Sequence, residues 1–208
     1  MNTVAPSQIA VGRFAPFYTT PCSDLAAGIT SVASRHVYLL ERALTVGFTT
    51  INDAVSLLEH GFRHVDHYDL SPGCNHQAEE LHSTDSRFWH HKTNLFLMNF
   101  MPNRYDAVIS NHGVAYHPPE GFKDMFRELK ASVRVSGALA VTLFGVRDEW
   151  LPNHGQFAMF ERMEAIRLFR GFDIRHFHEH EFDGRFIDGT PKHWHYFTVV
   201  ATQDDCSM

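Results

Sequence analysis

The sequence predicts a single α/β domain whose mostly parallel sheet ends in an antiparallel hairpin. Three observations carry this expectation. Short apolar runs alternate with stretches of helical periodicity from residue 42 onward. No helical pattern separates the last two apolar runs, so they should pair as neighbours in opposite directions. At 208 residues, 44% hydrophobic and 20% charged, the chain has the composition of one globular domain with a sizeable core.

The elements follow in order. Residues 1–41 form an arm punctuated by Pro6, Pro16 and Pro21, with room for one or two helices over 22–41. The α/β core spans 42–202. Arg42–Val46 is a strand ending at Gly47. Ile51, Ala54, Val55, Leu58 and Phe62 recur at helical spacing, and Gly61 closes that helix. Val65–Asp69 is the second strand, closed by Ser71-Pro72-Gly73, and a helix runs over Cys74–Leu81. Asn94–Phe100 reads as the third strand, with Trp89, His90 and His91 in a surface loop before it, and Tyr105–Ser110 reads as the fourth. Phe122, Met125, Phe126, Leu129 and Val133 mark a helix, and Ala138–Phe144 a strand after Gly137. Met159, Met163, Ile166 and Phe169 mark a further helix stopped by Gly171. Phe172–Glu181 and His195–Thr202 form the hairpin.

Net charge of -6 gives no attraction for a phosphate backbone, so nucleic acid is not the expected partner. Cys22, Cys74 and Cys206 are far apart and odd in number, which speaks for a reducing compartment rather than a disulfide framework. Met1–Pro6 has no basic region leading into an apolar run, and no stretch approaches 18 uninterrupted apolar residues. The expectation is a cytoplasmic protein with a small-molecule substrate and no membrane partner.

Several segments resemble the class I S-adenosylmethionine (SAM) methyltransferases. Ala43–Pro72 has that family's strand, loop, helix and second strand, with Gly47 at the first loop glycine and Asp69-Leu70-Ser71-Pro72 at the ribose-binding segment. Phe144-Gly145-Val146-Arg147-Asp148-Glu149-Trp150, Glu181-Phe182-Asp183-Gly184 and Lys192-His193-Trp194-His195 are similar to signatures of small bacterial members, including the tellurite-resistance type. The resemblance covers roughly residues 40–202. It implies a Rossmann-like class I methyltransferase fold with a seven-stranded sheet. It also implies SAM as methyl donor, with cofactor contacts at Gly47, Phe48, Thr49, Asp69, Leu70, Asn99 and Ser110. The cofactor loop departs from the family pattern: Thr49 and Ile51 stand where later glycines belong, and Thr45 replaces an acidic residue. β-Branched residues resist positive φ and project methyl groups where glycine leaves space. Two readings therefore stay open. Either SAM binds in a shifted loop, or the fold is retained for other chemistry or ligand binding without SAM.

Reacting groups in such folds gather at the carboxyl ends of the strands. His112, Tyr116 and His117 follow strand four and are the acid–base candidates. Arg147 follows strand five and can grip an oxyanion, or pair with Asp148 to shape its loop. His176, His178 and His180 alternate along one strand, and His193 and His195 along its partner. Five imidazoles near one hairpin raise the question of a metal, but a solvated strand face explains them as well, and no metal site is expected.

Overall fold

The structure, a computed structural model, describes residues 28–29, 40–47, 51–69, 72–93, 99–149, 156–185 and 189–203. The strands are β1 (Arg42–Val46), β2 (His64–Tyr68), β3 (Phe88–His91), β4 (Tyr105–Ser110), β5 (Val133–Gly145), β6 (Met159–Phe160), β7 (Asp173–Arg185) and β8 (Pro191–Thr202). The helices are α1 (Asn52–Glu59), α2 (Pro72–Thr84), α3 (Phe122–Ser132) and α4 (Arg162–Leu168), and Val114–Tyr116 makes a 3-10 turn after β4.

Seven strands run in the order β3-β2-β1-β4-β5-β8-β7, and the two-residue β6 adds an eighth beside the end of β5. Neighbours from β3 to β5 are parallel, whereas β8 is antiparallel to both β5 and β7. The expected hairpin is therefore present, and its second strand is inserted between β5 and β7. Consecutive residues of β1 serve opposite layers, as strand geometry requires. Leu44 and Val46 join α3 and α4 in one core, with Phe122, Phe126, Leu129 and Phe169. Ala43 joins α1 and α2 in the other, with Leu57, Phe62, Cys74, Ala78 and Ile29.

Some element assignments change. The third strand is Phe88–His91 rather than Asn94–Phe100: Asn99 and Phe100 are irregular, and Asn94–Met98 lie outside the described residues. Trp89, His90 and His91 are thus strand residues, paired with Asp66, His67 and Tyr68. Met159 belongs to β6, not to the helix that follows. The five hairpin histidines do not converge. His180 pairs with Tyr196 and His195 with Glu181, so His176, His178 and His180 face one layer and His193 and His195 the other.

Candidate active site

The order of strands reverses between β1 and β4, and crevices at such switch points hold ligands in α/β sheets. Gly47 leaves β1 there, its N–H donating to Tyr68 O at 3.1 Å. Phe48, Thr49 and Leu70 lie outside the described residues. Ile51 has φ -98° and ψ 3°, a conformation open to a β-branched residue, so at this position the chain makes no demand for glycine. Across the crevice, the chain after β4 packs hard on β1. A Cβ on Gly113 would stand 2.4 Å from Val46 O. Ser110 Oγ accepts from Val114 N at 2.9 Å and so fastens the 3-10 turn.

Asp69 follows β2 and is 4% exposed. Its carboxyl meets the Cys74 thiol from the start of α2, and burial, with Asp69 second, pushes that thiol up. His67, two residues earlier and on the same face, shares a 2.8 Å hydrogen bond between Nδ1 and Thr45 Oγ1. Its Nε2 lies 3.4 Å from Cys74 Sγ. Burial, then the charges of His90 and His91, pushes His67 down to about 3 and keeps it neutral. Thr45, where the family carries an acid, thus serves as the orienting partner of an imidazole.

A second buried group escaped the sequence reading. Asp53, in the first turn of α1, is 8% exposed. Burial pushes it up to about 7 against the opposing hydrogen bond from Asn111. Thr142 Oγ1 lies 3.5 Å from Asn111 Oδ1, at the outer limit of a hydrogen bond. A carboxyl that titrates near neutrality therefore stands behind the carboxyl end of β4.

The predicted acid–base residues do not form one cluster. His112 adopts φ 57°, stacks on Phe144 at 6.1 Å and meets Tyr196 edge-on at 5.6 Å. Burial, then Lys192 and His180, pushes it down to about 3. Desolvation disfavours the imidazolium, so the buried His112 ring is neutral near pH 7. Tyr116 packs edge-on against Phe144 and Phe157. His117 turns toward α3, its ring edge-on to Phe122 and its Nδ1 donating to Pro118 O at 2.6 Å. Asn99 is exposed, in the irregular segment before β4.

Arg147 is committed elsewhere. Its Nε and Nη2 fork onto Glu181 at 2.7 and 2.8 Å, and Nη2 also donates to Glu179 at 2.9 Å. Its N–H donates to His195 Nδ1 at 3.1 Å, which leaves the His195 proton on Nε2, 3.0 Å from Glu179. This is the loop-shaping role, with glutamates as partners instead of Asp148. Asp148 pairs with Lys192 with both side chains fully buried, and it accepts His195 N at 2.9 Å. Burial pushes Lys192 down to about 8 and Asp148 up, outweighing their attraction. On the other side of the sheet, α3 and α4 bound a cavity of about 770 Å³ floored by Phe122, Phe126 and Phe160, apart from the crevice.

No protein-family model matches the chain, and no curated protein is similar to it in sequence. Solved structures are similar in fold. TehB from Haemophilus influenzae superposes with a TM-score of 0.69 at 14% identity, over 85% of this chain and 62% of its own. A Burkholderia thailandensis 1,6-didemethyltoxoflavin-N1-methyltransferase, with 1,6-didemethyltoxoflavin and S-adenosylhomocysteine bound, gives 0.61 at 18% identity, over 99% and 93% of the two chains. A geranyl diphosphate methyltransferase in complex with SAM gives 0.60 at 14%, over 86% and 85%. The chain has the fold of the class I SAM-dependent methyltransferases. It spans less than two thirds of the TehB chain.

Proposed function

We propose that the protein transfers a methyl group from SAM to a small-molecule acceptor. The supporting observation is the buried Asp69 carboxyl beyond β2, beside Gly47, in a fold whose solved neighbours hold SAM or S-adenosylhomocysteine. A carboxyl there can accept both ribose hydroxyls. Gly47 follows β1 and Ser110 ends β4, and Asp53, hydrogen-bonded to Asn111 just past β4, is a buried acid near the same strand ends. The sulfonium of SAM needs only an aligned nucleophile and exclusion of water, so no residue has to act as an essential base. His112 and Tyr116 then shape the acceptor side as neutral aromatic walls.

Calorimetric titration with SAM and S-adenosylhomocysteine tests this. Saturable binding is expected, weakened at least tenfold in Asp69→Ala, which corresponds to about 1.4 kcal/mol. Absence of heat with both ligands would remove the reading. The engagement of Asp69 with Cys74 favours a second one, in which the fold works without SAM. Thermal shift separates the two: in the second reading neither ligand raises the melting temperature.

A further inference from the structure

We propose that His67, Asp69 and Cys74 form a binding site for a divalent cation of the zinc type. One ligand atom from each lies within 4.8 Å of the other two, and all three residues are buried. The spacing fits the ion. Zinc–nitrogen and zinc–sulfur bonds of about 2.0 and 2.3 Å at a tetrahedral angle set the ligand atoms about 3.5 Å apart. His67 Nε2 and Cys74 Sγ are 3.4 Å apart.

The surroundings have the form metal sites need. With Nδ1–H donating to Thr45 Oγ1, the Nε2 lone pair of His67 is the one directed at Cys74. A hydrogen-bonded partner on the far nitrogen fixes tautomer and ring orientation in metal-ligating histidines. His90 stacks on His67 at 5.6 Å and so fixes the plane of its ring. The donor set of imidazole, thiolate and carboxylate suits zinc or cobalt and not magnesium or calcium. Binding breaks the Cys74 S–H bond, forms a sulfur–metal bond and releases the proton to solvent, so apparent affinity rises with pH.

The other group of this composition, Glu179, Glu181 and His195, differs in kind. The Arg147 guanidinium already lies within 3.2 Å of a ligand atom of each, so its cation is the protein's own. The proposal does not depend on methyl transfer, although both make use of Asp69.

The test is titration of the whole reduced, metal-stripped protein with Co²⁺. One equivalent should produce a near-ultraviolet thiolate-to-cobalt band that Zn²⁺ abolishes. Surface histidines cannot produce that band. It should persist in Cys22→Ser/Cys206→Ser and vanish in Cys74→Ala. Thr45→Val, which keeps all three ligands and removes the hydrogen bond to His67 Nδ1, should weaken the metal about tenfold or more. Absence of the band from the native protein, its loss in Cys22→Ser/Cys206→Ser, or its survival in Cys74→Ala overturns the site. The first outcome needs no variant at all. SAM titration of the same samples reads the other proposal separately: cobalt binding without SAM binding removes only methyl transfer, and the reverse removes only the metal.

Discussion

At the scale of single residues, two positions are set by what surrounds them. A Cβ on Gly145 would stand 2.1 Å from His195 Nδ1, so the strand end is glycine because the imidazole occupies that space. Gly145→Ala should displace His195 from Arg147 N and Glu179 and cost about 1–3 kcal/mol in urea unfolding, the range for overpacking. Asp53 is the other. Its folded value of about 7 lies above the unfolded 3.8, so the native state holds the extra proton between those values. Stability from this group is present in acid and declines as pH rises toward 7, by about 1.4 kcal/mol per unit. Asp53→Asn should remove that decline, and unfolding curves at several pH values would read it. The sequence announced Gly47 and Asp69 through their place after strands. It was silent on Asp53 and Asn111, because two polar residues 58 positions apart carry no local sign that they will meet. His67 was closer to legible, since a residue two before Asp69 on a strand must share its face.

Secondary-structure elements were read better than side-chain roles because periodicity reports which face is buried. The β1 limits, the hairpin and α3 follow from apolar spacing alone. β3 was misplaced because Phe88-Trp89-His90-His91 carries little apolar signal of its own. Only Phe88 is fully buried, and the histidines are kept by contacts with β2 that a local window cannot see. The partners of Arg147 were not legible for a related reason: they come from β7, more than 30 residues on. The buried Lys192–Asp148 pair ties β8 to the loop after β5. Lys192→Met alone should cost about 3–5 kcal/mol because it strands a buried carboxylate. Adding Asp148→Asn should recover part of that loss, so a double-mutant cycle should show non-additivity.

For the molecule as a whole, opposing titrations set the response to acid. His67 and His112 have folded values near 3 against an unfolded 6.5, so the unfolded state takes up protons first as pH falls. Each removes about 1.4 kcal/mol per unit below 6.5, while Asp53 returns about as much. Two groups outweigh one, so these three residues together make the protein less stable at pH 5 than at pH 7. His112→Gln should flatten that slope if the variant folds, and His67→Gln should do the same. A melting temperature that rises from pH 7 to 5 in the native protein would contradict the balance.

The insertion of β8 between β5 and β7 bears on how the chain is made. β7 is synthesised first, yet its strand partner in the sheet is β8. While the ribosome still holds residues 191–202, both β7 and the free side of β5 lack the strand that belongs between them. For that interval an apolar row including Leu139, Val141 and Leu143 borders an open edge, the kind of surface that pairs with other nascent chains. A ribosome-stalled chain in which residues up to 190 have just left the exit tunnel should therefore be readily cleaved within β7, and extension by a further dozen residues should abolish that cleavage in one step.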